Sequence, residues 1–206
     1  MGHTAAILRR GRKFDQVLEG ARQVFMADGF EGASVDDIAR AAGVSKATLY
    51  SYFPDKRLLF MEVARTECAR MADTALELID MHAPPRVVLK LAATAIVTHL
   101  LSDFAQSMFR VCVAERDRFP ELGRAFYAVG PEMGRERISD YLRDAIVRGE
   151  LVIGDIAMAA DQFAELCKAR LWTRAVFGIQ SHFSDAEIAE VVDHAVDMFM
   201  ARYGTR

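Results

Sequence analysis

The stretch from Ser34 to Phe53, SVDDIARAAGVSKATLYSYF, decides how this chain folds. Ser34 is an N-cap residue with Asp37 three positions on, a box-like arrangement. Asp36 and Asp37 suit the positive end of the helix they open. Val35, Ile38, Ala39 and Ala42 give that helix an apolar side, and Gly43 supplies the positive φ of a tight turn. Ser45 caps a second helix from Lys46 to about Phe53, which Pro54 and Asp55 break. Ile38, Ala42, Val44, Leu49 and Phe53 bury the interior of the unit. Ala39 is small where two helices are expected to cross closely. Lys46, Thr48, Tyr50 and Tyr52 remain on the outer face of the second helix. This is the layout of a helix-turn-helix whose second helix enters the major groove of double-stranded DNA.

Each outer residue has a physical use there. Ser45 and the free N–H groups after it suit a phosphate. Lys46 and Ala47 lead the helix, where a lysine donates to guanine acceptors and a methyl touches a thymine methyl. Hydroxyls of Thr48, Tyr50 and Tyr52 reach phosphate oxygens, contacts that position without specifying. Lys56, opening the next helix, adds a charge to the same backbone, and Ser34 can do likewise. Arg9, Arg10, Arg12 and Lys13 form a basic arm.

Outward from that unit the chain reads as helix nearly throughout, so an all-α fold is expected. The first helix runs roughly from Lys13 to Asp28, with Phe14, Val17, Leu18, Ala21, Val24 and Phe25 on one face. Beyond the unit, helices are expected over about 56–81, 85–101 and 103–118. Pro120 and Pro131 start two further pieces. Asp155 caps a long helix to about Phe177, and Ser184 with Glu187 forms a capping box for the last one. The division expected is a DNA-binding domain over residues 1–57, with its arm, and a larger helical domain over 58–206, which the family resemblance given below implies to be the effector-binding and dimerisation domain.

Charge alone points away from nucleic acid, since the 206 residues carry a net −3. That value averages two unlike parts: +2 up to Arg57 and −5 beyond it. Such a balance argues against indiscriminate DNA binding and leaves specific binding to a few placed groups. Cys68, Cys112 and Cys167 lack the spacing of a disulfide framework or a zinc site, and read as reduced core thiols. The longest uncharged run, Leu91–Ser102, falls short of the roughly 20 residues of a membrane span. No membrane partner, metal or cofactor is expected, and the location expected is the cytoplasm. GxSxG, HExxH, Walker A and GxGxxG are all absent, so an enzyme is not expected.

Residues 14–61 resemble the DNA-binding domain of the TetR family of transcriptional regulators, and the block AGVSKATLYSYFPDK carries most of the likeness. Phe109–Glu132, FRVCVAERDRFPELGRAFYAVGPE, is similar to the second domain of an AefR-like subgroup. The resemblance implies a homodimeric repressor on a palindromic operator, released by a small organic effector. An activator or a ligand-independent regulator of the same fold is the alternative. Carried over by position, the family's DNA contacts fall on Ser34, Ser45, Lys46, Ala47, Thr48, Tyr50, Tyr52 and Lys56. Ala47 departs from the pattern, because a glycine is frequent there.

For the second domain the sequence offers candidates of two kinds. His99, Phe104, Met108, Arg110 and Glu115 are candidate effector contacts, as are Phe126, Tyr127, Tyr141, Trp172 and Phe177. Glu115 has a structural alternative, an ion pair with Arg118 three residues on. For the dimer interface, Ala160, Phe163, Ala164, Cys167 and Leu171 form a stripe on one helix. Ile188, Val191, Val192, Ala195, Val196 and Phe199 form another on the last. Two such helices from each subunit can build a four-helix bundle.

Overall fold

The computed structural model describes residues 11–205, so Arg9 and Arg10 of the expected arm lie outside the described residues. The head comprises α1 (Arg12–Gly32), α2 (Val35–Ala41) and α3 (Lys46–Tyr52). Serine side chains start its two short helices: Ser34 Oγ accepts from Asp37 N and Ser45 Oγ from Thr48 N, both at 3.1 Å. Each cap satisfies one orphan N–H and is worth about 1 kcal/mol. Gly43, at φ +64°, makes the turn between them.

The body follows with α4 (Lys56–Leu78), α5 (Pro85–Leu100), α6 (Asp103–Ala114) and α7 (Pro120–Tyr127). It continues through α8 (Met133–Val147), α9 (Ile156–Leu166), α10 (Leu171–Val176) and α11 (Asp185–Tyr203). The expected capping box is present: Ser184 Oγ accepts from Glu187 N while the Glu187 carboxylate accepts from Ser184 N. Three helix boundaries differ from expectation. The helix from Asp103 stops at Ala114, with Glu115 as its C-cap. Pro131 starts no helix; it lies inside a π-helical turn, Ala128–Glu132, that runs from α7 into α8. The helix from Asp155 is broken between α9 and α10, where Arg170 takes φ +64°.

Two apolar cores hold the chain. The first joins the head to α4, α6 and α7. Its spine is a set of rings: Phe60 lies 4.8 Å from Phe25, 5.0 Å from Phe30 and 5.4 Å from Phe104, centroid to centroid. Apolar packing therefore continues across the boundary expected at residue 57. The second core joins α5, α8, α9 and α11 around Leu142, Phe163, Val192 and Phe199. Ion pairs Arg86–Asp197 and Lys90–Asp193 rim it and run α5 antiparallel to α11.

The residues of the expected dimer stripes, Ala164 aside, pack into that second core. Ala160, Phe163, Cys167, Leu171, Val191, Val192, Ala195, Val196 and Phe199 are buried inside the single chain, and Ala164 and Ile188 are half-buried. Each stripe satisfies its hydrophobic face within its own chain. No single described helix is long and apolar enough to cross a membrane; α5 and α6 together reach the length but bend by 62°.

Candidate nucleic-acid interface

Leu49 anchors α3 in the head, only 1% exposed, and so fixes which residues face outward. Lys46, Ala47, Tyr50 and Ser51 are exposed, and Thr48 is half-buried. Together they form one continuous strip along α3 and its leading turn. Ser45 Oγ also lies 2.9 Å from Thr48 Oγ1, so the cap and the next hydroxyl are mutually ordered. Lys46 Nζ pairs with Asp36 on α2, with both side chains more than half exposed. An exposed pair of that kind is worth under about 1 kcal/mol, so a base or phosphate can compete for the ammonium. Ser34 Oγ donates to Asp37 at 2.5 Å, which holds that carboxyl below its ordinary range.

Two residues expected on DNA do different work within the chain. Lys56 Nζ donates to Phe30 O at 2.8 Å and Ala33 O at 2.9 Å, and sits 4.4 Å from the Phe30 ring centroid. Its ammonium closes the α1–α2 connection, so it is committed inside the chain. Tyr52 is half-buried with its ring edge-on to Phe14 at 5.7 Å, which makes it part of the head core.

Residues absent from the sequence-based set also matter. A Cβ at Gly20 would lie 2.4 Å from Ala42 N and 2.6 Å from its Cα. The close crossing expected at Ala39 is therefore between α1 backbone and Ala42. The signal was available, since glycine inside a helix costs about 1 kcal/mol against alanine and asks for a packing reason. Arg57 is the other. Its guanidinium forks onto Asp55, with Nε to Oδ1 at 2.9 Å and Nη2 to Oδ2 at 2.6 Å, and its Nη1 reaches Glu115 Oε2 at 2.8 Å. Glu115 therefore pairs with a residue 58 positions away instead of Arg118.

The candidate effector residues do not converge on one site. Phe104 and Met108 are buried in the core under the head. Tyr141 is buried in the second core. Phe126 joins Phe109 and Trp172 in an edge-to-face cluster, with centroids 6.0 and 5.1 Å from Phe109. Arg110, Tyr127 and Phe177 are exposed. His99 stands where α5 turns into α6; its Nε2 lies 3.7 Å from Cys68 Sγ, its Nδ1 has no partner among the described residues, and burial lowers its pKa. Nearby Gln106 donates to Leu100 O at 2.6 Å while its buried Oε1 has no partner among the described residues. The three thiols are free and buried, and burial pushes Cys68 and Cys112 up to about 11 and Cys167 to about 12.

Residues 87–205 match the family described as AefR-like transcriptional repressor, C-terminal domain. Residues 17–63 match bacterial regulatory proteins, tetR family. The chain belongs to the TetR family of transcriptional regulators. A solved structure from Mesorhizobium loti, described as a TetR-family transcriptional regulator, superposes with a TM-score of 0.82 at 28% identity, covering 94% of this chain and 98% of that one. The flavonoid-responsive regulator FrrA is 32% identical over 96% of this TetR-family chain and all of its own, with a TM-score of 0.73. The HTH-type transcriptional repressor AcnR of Corynebacterium efficiens is 44% identical, but over only 62 residues, which are 30% of this chain and 33% of AcnR. The chain therefore spans about a third of the length of that curated relative.

Proposed function

We propose that this TetR-family regulator is a homodimeric repressor that binds an inverted-repeat operator in the cytoplasm and leaves it when a small organic molecule binds the body. The observation that carries the reading is the exposed strip Ser45, Lys46, Ala47, Tyr50 and Ser51 on an α3 held rigidly by Leu49 and two serine caps. Ser45 and the N–H groups beside it serve a phosphate, Lys46 and Ala47 meet base edges, and the Thr48 and Tyr50 hydroxyls position the helix on the backbone. Ser34, at the start of α2, completes the backbone contacts. Likeness of the head to a named repressor supports the sign of regulation.

The dimer face in this reading is the outward side of α9 and α11. Met158 and Met198 are 53% and 60% exposed there, beside Gln162, Glu165, Glu190 and His194. These residues lie opposite the buried stripes, so pairing them covers apolar surface that the single chain leaves wet. For the effector, the unpartnered His99 Nδ1 and Gln106 Oε1 offer polar anchors at the α5–α6 corner, and likeness to FrrA favours a ring-containing, largely apolar molecule.

Selection of genomic fragments on the purified protein, followed by footprinting, tests the reading. The expected footprint is an inverted repeat whose half-site centres are about 10 bp or a multiple apart. Aromatic compounds are then screened for release, expected to weaken operator binding by a coupling of about 1–3 kcal/mol. A protected region with no inverted repeat, or a monomer by light scattering at working concentration, would refute the dimeric operator.

A further inference from the structure

We propose that Arg57 is a positioning residue that sets the angle of the recognition helix against the body, and that Glu115 is the body's half of this latch. The inference rests on the reading that the protein binds DNA as a regulator. Arg57 is the second residue of α4 and follows closely on α3. Asp55, in the loop directly behind α3, takes the forked side of the guanidinium and also accepts from Arg57 N at 2.8 Å. The remaining arm reaches Glu115 at 2.8 Å, and the guanidinium carbon stands 3.7 Å from the centroid of the Phe119 ring. One planar cation thus serves the loop behind the DNA-facing helix on one side and the far end of α6 on the other. All three charged side chains are largely sheltered, Arg57 at 19% exposure and Asp55 and Glu115 at 30% each.

The geometry gives the latch a direction. Elsewhere α4 meets α6 through soft contacts: Phe60 against Phe104, and Cys112 Sγ at 3.6 Å from Met61 Sδ. Ring edges and thioethers tolerate small rotations, whereas a charge-assisted bond does not. A shift of α6 would therefore keep the apolar contact and open the Arg57–Glu115 bond. The fork on Asp55 would keep the guanidinium paired in the open state, so opening strands no buried cation. At its other end, roughly 18 Å away along 12 residues, α6 begins beside the unpartnered atoms of His99 and Gln106. A single helix thus joins a polar corner with spare hydrogen-bonding capacity to the latch.

The test uses the full-length protein with spin labels at Glu31→Cys on the head and Val147→Cys on the body, labelled protomers being diluted with unlabelled chain. Both positions are exposed and the native thiols are buried, so labelling is selective. The head–body distance distribution is read without DNA for wild type, Glu115→Gln and Arg57→Lys. Glutamine keeps the size of Glu115 without its charge, and lysine cannot serve the fork and the arm together. The expected result is a broadened or displaced distribution in both variants. Operator affinity should fall about 5- to 10-fold, with Tm changed by less than about 4 °C. Wild-type distances in both variants would overturn the latch, whatever the affinities. So would unchanged distances with a Tm loss that accounts for weakened binding. If the wild type binds no inverted repeat, the functional reading fails, and the DNA-free distances still decide the latch.

Discussion

The head and the far bundle are both helical, but they spend their polar groups differently. In the head, Ser34 and Ser45 each close a helix start, Lys56 from α4 closes the α1–α2 connection, and Lys46 and Tyr50 are left outward on a rigid platform. In the body, His99 Nδ1 and Gln106 Oε1 are buried with no partner among the described residues. A buried unpaired polar atom costs about 1–3 kcal/mol. The head is built to hold one shape, and the body keeps hydrogen-bonding capacity in reserve. Rigid presentation suits reading of DNA, and spare buried capacity suits a ligand.

The sharpest way to break the comparison is at the seam. Phe60 is fully buried and touches two rings from α1, Phe25 and Phe30, and Phe104 from α6. Phe60→Ala is expected to cost about 3–5 kcal/mol in chemical denaturation, because the surrounding rings cannot close the cavity. One shared transition is expected for the head and α6. Two separated transitions would mean that head and body fold independently, and the first core would then not be one unit.

Gly20→Ala tests the rigidity of the head alone. The added methyl meets Ala42 backbone at 2.4–2.7 Å, so α1 and α2 must part. Alanine gains about 1 kcal/mol in helix propensity, yet overpacking against backbone costs about 1–3 kcal/mol. A net loss of about 1 kcal/mol in thermal or urea unfolding is expected, with weaker DNA binding than that loss explains. A more stable Gly20→Ala protein would show that the crossing has slack.

How much of this was legible in the sequence follows the same division. Ser34, Gly43, Ser45, Leu49 and the capping box at Ser184 act within a few residues of themselves, so spacing alone revealed them. Glu115 was visible as an odd carboxylate on an apolar helix, but its partner is 58 residues away and no local pattern encodes that. Lys56 looked like a DNA contact because a lysine at a helix start beside the recognition helix fits one. Only the folded path of α1 puts two carbonyls against it. The stripes expected at a dimer interface raise a related point, since they are covered within the chain. Periodicity tells which face of a helix is apolar, and cannot tell whether α5 and α8 of the same chain or a second subunit covers it.

The body's reserve is open to a pH test. Burial holds the His99 imidazole below its ordinary value of 6.5, favouring the neutral form. As pH falls below 6.5, the unfolded chain takes up the proton before the folded one does. Stability from this group is therefore complete above pH 6.5 and declines below it. Urea midpoints measured from pH 7 to 5 should fall for the wild type, and His99→Gln should flatten the part due to this ring. Identical slopes for the two proteins would show that His99 titrates freely when folded.

The smallest expected effect is at Arg170, the body's counterpart to Gly20. It sits between α9 and α10 with φ +64°, a region that costs a side-chain-bearing residue about 1–2 kcal/mol. Its Nη1 holds Glu190 at 2.9 Å, but both side chains are more than half exposed, so that pair is worth little. Arg170→Gly and Arg170→Ala both lose the pair, and only glycine relieves the backbone. Glycine gives back about 0.5–1 kcal/mol in unfolded-state entropy, so it should exceed alanine by about 0.5–1 kcal/mol. At position 20 glycine is needed for space and at position 170 it would be favoured for φ. An alanine as stable as glycine at 170 would mean that the α9–α10 break is unstrained, leaving the crossing at Gly20 as the tighter backbone constraint of the two.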